Sequence, residues 1–388
     1  MLLAITKSGD TFIPSTLKTH ELQLIKKQNL SYYCPACKER VVLRAGLKQI
    51  AHFAHRSKSD CDNLSKGEGK IHEQGKKDLY NWLKAQNVEV SLEHYIQSIK
   101  QRADLFVKWN NRLFVIEYQC AKIPIKDILK RTYAYQSISI MPIWILGAKQ
   151  MKRLSKYSIH LTKTLELYLH STPYCQSPLM YFYCPIRQQF AKFHLFAQTD
   201  TSKAIGLFEF NPLRELTFFD TPHTQYNKEM LDEWYKEQFK FRFHLPKHCY
   251  GKEKAFRNWL YHMQLHPSTI SSFVGLPIRY QLKMNCSIWD WQSRLCYVFI
   301  NNHKRFSYHQ VMHYMRPYKK SQMLLPLVNT PIDPVKEYLD LLIQLKILTF
   351  EDNMYFVIRR LKTYCNPQEA LKGDKKMKDL LKNKVKYK

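Results

Sequence analysis

Arg102-Ala103-Asp104-Leu105-Phe106-Val107-Lys108-Trp109-Asn110-Asn111-Arg112-Leu113-Phe114-Val115-Ile116-Glu117-Tyr118-Gln119 reads as two β-strands joined at Asn110-Asn111. A two-residue hairpin turn needs positive φ at both central positions, and asparagine tolerates it. With Trp109 paired to Arg112, position sums stay constant, so Asp104 lies opposite Glu117 and Arg102 opposite Gln119. Directly opposed residues point to the same face, and like charges there destabilise the pair unless a cation lies between them. Alternation also places Leu113, Val115, Glu117 and Gln119 on one face, an acid arriving after an apolar run. That departs from structural strand patterning and suits a metal site. Mg²⁺ takes one or two carboxylates plus waters and phosphate oxygens. Asp104 and Glu117 are the expected protein ligands, and Gln119 is placed to position a water or a phosphate. The competing reading is a surface hairpin with two incidental acids.

Working outward, residues 66 to 86 have helical spacing at Ile71, Leu79, Trp82 and Leu83, and residues 88 to 95 read as a strand. After the hairpin come an amphipathic helix at 125 to 136 and a buried strand at 138 to 146, closed by Gly147. The order is α-β-β-β-α-β. At about 100° per residue, Glu68 falls within the stripe of Ile71, Gly75, Leu79 and Trp82, and Glu73 points away from it. A carboxylate centred on an apolar stripe needs a partner or a metal. The alternative is a first-turn Glu that favours the helix dipole and stays solvated.

Residues 1 to 65 read as a small head with short strands at 2 to 6 and 11 to 14. Cys34-Pro35-Ala36-Cys37 is a CxxC pair, followed by His52-Phe53-Ala54-His55 and then Cys61. Two thiolates two residues apart grip one side of a tetrahedral Zn²⁺, and the other ligands must arrive from a distant segment. The pair lies outside any thioredoxin-like βαβ context, which argues against a redox role. Five candidates compete for four places. Cys61 is a better zinc ligand than a second histidine, so the expected set is Cys34, Cys37, His55 and Cys61, with His52 in reserve. A full ligand set makes the site structural, a staple for a head too small to hold its own core.

The chain divides into a zinc-knuckle head at 1 to 65, an α/β core at 66 to 150 and a mainly helical region at 151 to 388. Residues 171 to 187, rich in Pro, Tyr and Ser, read as a connecting loop. A helix from Asp333 to Ile347 and a hairpin through Asp352-Asn353 suggest a winged-helix unit near 330 to 360. The lysine-rich end, 372 to 388, reads as a frayed helix.

At 45% hydrophobic residues the chain is a folded protein, not a disordered one. Its 61 Lys and Arg against 32 Asp and Glu leave +29, which points to an anionic partner, nucleic acid first and a membrane surface second. The opening Met1-Leu2-Leu3-Ala4-Ile5-Thr6-Lys7 is too short for a signal peptide, and no long apolar run follows. The expected location is therefore the cytoplasm, without membrane insertion, and the 10 cysteines are not expected to form structural disulfides.

Taken together, these residues resemble the competence protein CoiA family. The resemblance rests on the knuckle with its HFAH element and on Glu68, His72 and Lys76 in an E-x-x-x-H-x-x-x-K helix. It continues through Arg102-Ala103-Asp104, Glu117-Tyr118-Gln119, Arg131-Thr132-Tyr133 and Pro142-Ile143-Trp144-Ile145-Leu146. It implies an α/β, restriction-endonuclease-like core of the PD-(D/E)XK type, with structural Zn²⁺ and catalytic Mg²⁺. It also implies a role in natural transformation, acting on single-stranded or branched DNA beside a strand-exchange recombinase. Asp104 and Glu117 match the metal-binding acids and Glu68 the helix acid. The general pattern has lysine where this chain has Gln119, and an amide supplies no positive charge. Lys76 or Lys126 is the expected replacement. Two functions follow: a Mg²⁺-dependent deoxyribonuclease, or a DNA-binding recombination accessory protein that keeps the fold with weak catalysis.

Overall fold

The computed structural model describes residues 1–14, 17–46, 49–56, 61, 69–171, 177–199, 202–218, 228–244, 246 and 248–384. These fall into two compact units. The first comprises Met1–Met151, Tyr181–Lys192 and Glu209–Asp220; the second comprises Lys152–Met180, Phe193–Phe208 and Thr221–Lys388.

The first unit opens with the head: β1 (Ala4–Thr6), β2 (Thr11–Phe12), α1 (Thr19–Lys27), β3 (Tyr32–Tyr33), β4 (Arg40–Gly46) and β5 (Gln49–His55). Its sheet has the order β2-β1-β3-β4-β5. Met1, Ala4, Tyr32, Val41, Leu43 and Phe53 pack with Cys34 and Cys61 in a small core. That core is meagre for so many strands, as expected of a head that needs a staple.

The rest of the unit is α2 (Lys70–Lys84), β6 (Glu89–Leu92), a ribbon of β7 (Tyr95–Ile96) and β8 (Gln101–Arg102), β9 (Leu105–Trp109), β10 (Arg112–Gln119), α3 (Ile125–Ser137) and β11 (Met141–Gly147). This is the α-β-β-β-α-β order with one small ribbon inserted. The hairpin turns where Asn110 and Asn111 take φ of 46° and 58°. Its register runs from Arg112 opposite Trp109 to Ile116 opposite Leu105. β6 pairs antiparallel with β9, and β11 parallel with β10 after the α3 crossover.

Alternation sorts the sheet faces. Phe114, Ile116, Tyr118, Leu105 and Val107 pack with Leu79 and Leu83 of α2. Val115 packs with Tyr135 of α3. Each such buried aliphatic or aromatic side chain contributes roughly 1.5–3 kcal/mol relative to exposure. Gly75 allows α2 to approach the sheet, because a Cβ there would stand 2.0 Å from Cε1 of Tyr118. On the other face, Trp144 Nε1 donates to Thr132 Oγ1 at 3.1 Å and fixes α3 over β11.

Two expectations for α2 need correction. The helix begins at Lys70, with Gly69 as its N-cap. Glu68 lies outside the described residues. Glu73, expected to point outward, is 7% exposed. The reason is that α2 meets β5 of the head as well as the sheet, so it has more than one buried side.

The second unit contains β12 (Arg153–Ser155), β13 (Ser158–His160) and α4 (Lys163–Glu166). The strands β14 (Leu179–Cys184), β15 (Gln189–Gln198) and β16 (Lys203–Pro212) contribute residues to both units. The stretch read as a connecting loop at 171 to 187 therefore carries a strand, its Tyr and Phe residues suiting a pleated surface.

Helices follow: α5 (Lys228–Phe243), α6 (Gly251–His262), α7 (Ile288–Arg294), α8 (Tyr308–Met315) after β17 (Arg305–Ser307), α9 (Pro334–Gln344) and α10 (Pro367–Lys384). Trp234, Trp291, Phe256, Leu342 and Tyr355 belong to their common core. Arg242 closes a buried bidentate pair with Asp374, at 2.6 and 2.8 Å. After α9 come β18 (Leu348–Glu351) and β19 (Met354–Val357), turning at Asp352 and Asn353 with φ of 47° and 61°. The sheet order is β17-β19-β18. The lysine-rich end is helical to Lys384.

Candidate functional site

The head builds one constellation. The CxxC turn is closed by Lys38 N donating to Cys34 O at 2.9 Å and Cys34 N donating to Glu39 O at 2.8 Å, with Lys38 at φ 61°. β5 then delivers His55. Sγ of Cys34, Cys37 and Cys61 and a ring nitrogen of His55 all lie within 4.8 Å of one another. Cys37 Sγ and His55 Nε2 are 3.3 Å apart. In a tetrahedral site with Zn–S near 2.3 Å, sulfur atoms stand about 3.7 Å apart, so a small contraction suffices. The soft donor set is the one zinc prefers.

Burial raises the Cys37 thiol to about 12, aided by Cys34 and Cys61, so this thiol resists ionising unless a cation joins the group. Burial lowers His55, keeping the imidazole in its neutral, donor form. His52 is outside this group; its Nδ1 contacts Ile50 O at 2.9 Å.

The acids form the second constellation. The last register pair of the hairpin is Ile116 opposite Leu105; Asp104 lies just before β9, and one further step of that register would set it opposite Glu117. Asp104 Oδ2 accepts from Tyr118 N at 2.9 Å, which fixes it against β10. Its Oδ1 lies 3.8 Å from Lys76 Nζ and 3.8 Å from His72 Nε2, both on α2. Lys76 is fully buried. Its Nζ donates to Glu93 Oε1 at 2.7 Å, and Glu93 is itself 1% exposed. Burial alone would raise Glu93, but the charges of Lys76 and Arg102 outweigh it and hold the carboxyl well below its usual range. His72 stacks on Tyr118 with ring centroids 5.6 Å apart.

Glu117 is 4% exposed and faces α3. Its Oε1 accepts from Arg131 Nη2 at 2.5 Å and from Tyr135 Oη at 2.5 Å. Burial raises the Glu117 carboxyl, Arg131 opposes that, and the neighbouring Asp104 adds to it; the net shift is upward. The repulsion expected of the opposed acids is therefore present. It is met partly by Arg131, which also donates to Arg102 O at 3.1 Å.

Gln119 turns its amide to Ala121 O at 2.7 Å. Lys126, the other candidate replacement cation, is exposed on α3. Lys76 is thus the candidate cation beside Asp104. Glu93 and Tyr135 were not anticipated, and Arg131 entered only within the Arg131-Thr132-Tyr133 motif, without a role. Arg131 and Tyr135 stand four residues apart on one helix face, a signal available in retrospect. Glu93 gave none.

Both acids are oxygen donors of the kind Mg²⁺ takes, and Oδ1 of Asp104 lies 3.8 Å from Lys76 Nζ and from His72 Nε2. Among the described residues, the head cluster is the only group of three or more such side chains within ligand reach; the acids are a pair. No helix among the described residues is long and apolar enough to cross a membrane.

Comparisons with known proteins agree along the chain. Residues 14–63 match the family model described as competence protein CoiA, N-terminal domain. Residues 68–226 match the nuclease-like domain of the same family, and residues 230–371 its C-terminal domain. The competence protein CoiA of Bacillus subtilis (strain 168) is 28% identical over 289 residues, covering 74% of this chain and 76% of that protein. No solved structure gives a significant match.

Proposed function

We propose, from a chain that belongs to the competence protein CoiA family and carries its nuclease-like domain, that this protein is a Mg²⁺-dependent deoxyribonuclease acting in natural transformation and recombination. The observation that supports the reading is that Tyr118 N holds Asp104 against β10 beside Glu117, whose carboxyl it pushes upward, with the buried Lys76 ammonium 3.8 Å from Asp104.

Asp104 and Glu117 would hold Mg²⁺, which supplies Lewis acidity and a bound water of lowered pKa when present. Tyr118 N keeps Asp104 aimed, and Arg131 with Tyr135 keeps Glu117 from swinging away. Lys76 places a fixed positive charge where negative charge grows on a phosphate under attack, the role that Gln119 cannot fill. Gln119 would leave Ala121 O to orient a water or a phosphate oxygen. Glu68 remains a candidate for a further ligand. In the head, Cys34, Cys37, His55 and Cys61 would hold structural Zn²⁺.

The excess of basic residues suits a DNA polyanion, single-stranded or branched, with a strand-exchange recombinase as partner. The helix α9, the β18–β19 hairpin and the order β17-β19-β18 support the reading of a winged-helix unit near 330 to 360. The turn carries Glu351 and Asp352, and Glu337 of α9 pairs with Arg279 at 2.9 Å, so this element is poorly charged for reading DNA.

One observation favours a second reading, a DNA-binding accessory protein with little cleavage. Glu117 is already neutralised by Arg131, and Gln119 is turned away. Purified protein incubated with single-stranded, double-stranded and branched DNA, under Mg²⁺, Mn²⁺ or EDTA, separates the two. Metal-dependent cutting lost in Glu117→Ala with binding retained supports the nuclease. Binding without cutting on every substrate supports the accessory protein.

A further inference from the structure

Glu93 is a buried acid that the proposed chemistry does not use. It sits at the end of β6 with φ 50°, a region that side-chain-bearing residues avoid and that persists only when the surroundings enforce it. The surroundings here are specific. Glu93 N donates to Asp104 O at 2.8 Å, and Ala103 N donates to His94 O at 2.9 Å, so the turn is laced to the segment carrying Asp104. One carboxylate oxygen accepts from Lys76 at 2.7 Å. The other accepts from the backbone N–H of Leu2, also at 2.7 Å.

Leu2 belongs to the head segment, and the carbonyl beside it, Met1 O, accepts from Phe53 N at 2.7 Å. Phe53 lies on β5, two residues before the candidate ligand His55, and is 1% exposed in the head core. A continuous chain of contacts thus runs from the head strand through Met1 and Leu2 to Glu93, and from Glu93 to Lys76 and Asp104.

We propose that Glu93 is a positioning residue through which the docked head fixes Lys76 beside Asp104. This deepens the reading of Lys76 as the cation of the site and rests on it. Glu93 has two tasks that one carboxylate performs together. It makes a buried ammonium tolerable, and it anchors that ammonium to a backbone group of the head. A head that loosens withdraws the Leu2 N–H, and the carboxylate then has one partner and freedom to turn. Lys76 loses its fixed place as a consequence, with no change in its own helix.

The test reads Lys76 directly, without relying on DNA cleavage. The full chain is treated with an amine-acylating reagent, and modification of each lysine is followed by mass spectrometry. Lys203 of the other unit, paired with Glu233 and Glu237, is the internal reference. Three variants are compared with the wild type: Glu93→Gln, the milder Glu93→Asp, and Phe53→Ala, which hollows the head core and leaves the cysteines and His55 in place. The expected result is acylation of Lys76 at least tenfold faster in Glu93→Gln and Phe53→Ala, intermediate in Glu93→Asp, and unchanged at Lys203.

Lys76 as protected in Phe53→Ala as in the wild type, while the head digests faster with protease, overturns the link. Protection unchanged in both Glu93 variants overturns the role of Glu93 itself. Cleavage measured in parallel separates this inference from the one beneath it. A wild type that cuts no DNA removes the nuclease reading, yet the labelling pattern still decides the link. Where the wild type cuts, Glu93→Asp should lower kcat with KM nearly held; a change in KM alone counts against positioning.

Discussion

The Cys/His cluster of the head and the acid pair of the sheet are both candidate metal centres, and they are built on opposite principles. In the head, four ligand atoms converge and their mutual repulsion is left for a metal to resolve. In the sheet, each acid already has protein partners: Arg131 and Tyr135 on Glu117, Tyr118 N and the nearby Lys76 on Asp104. The first arrangement is worth little without its ion. The second keeps its shape without one, and under the proposed function would exchange some of its internal contacts for an ion. A staple and a working site should differ in this way, because a staple is loaded once whereas a working site must cope with water, substrate and product.

The comparison can be broken most severely at the head. Removing its metal, by a strong chelator or by Cys34→Ser, should unfold residues 1 to 61, since structural zinc supplies about 10–16 kcal/mol in small metal-stapled domains. Metal analysis and limited proteolysis check this; a head unaffected by the loss would contradict the staple. Next, Glu117→Ala should lower DNA cleavage at least about thousandfold, some 4 kcal/mol of transition-state stabilisation, with zinc content unchanged. Loss of zinc in that variant would mean the two centres are not distinct.

Glu93→Gln sharpens the contrast through stability. Breaking a buried pair by removing one charge costs about 3–5 kcal/mol at neutral pH. Glu93 is held below its unfolded value, so its stabilisation is full above the ordinary carboxylate range and lost as pH falls through the folded value. Chemical denaturation from pH 7 downward should show an acid limb in the wild type that is flatter in the variant; parallel limbs would refute the assignment.

The smallest effect is at Arg131 and Tyr135. The guanidinium opposes the upward shift of Glu117, so Arg131→Ala should move the acid limb of the cleavage profile to higher pH. Tyr135→Phe should move it the same way by less, the loss of one hydrogen bond of about 1 kcal/mol. A profile that moves downward in either variant would show that these partners do not govern Glu117.

The hairpin was legible because its information is local. Asn110 and Asn111 set the turn, and the turn sets the register from Arg112 opposite Trp109 to Ile116 opposite Leu105. The spacing of Cys34, Cys37, His55 and Cys61 was legible for a similar reason, since the chemistry of one ion dictates which residue types must meet. What failed to show was whatever depends on a second element. Glu73 was misread because a stripe analysis allows a helix one buried side, and α2 has the head strand as a further neighbour. Glu93 was invisible because neither its left-handed backbone nor its partners, 17 and 91 residues away, leave a mark in the residues around it. The C-terminal helices gave an outline and no site, because their large aromatic core follows only from how they pack.

The contact of Gly75 with Tyr118 limits what can be changed by evolution or by design. No side chain can be added at position 75 without pushing α2 off β10, and Lys76 is the very next residue. The reach of that amine is therefore set by main-chain geometry and is not adjustable by small steps. Attempts to retune substrate choice should leave this contact alone and vary the exposed rim, where Lys126 stands.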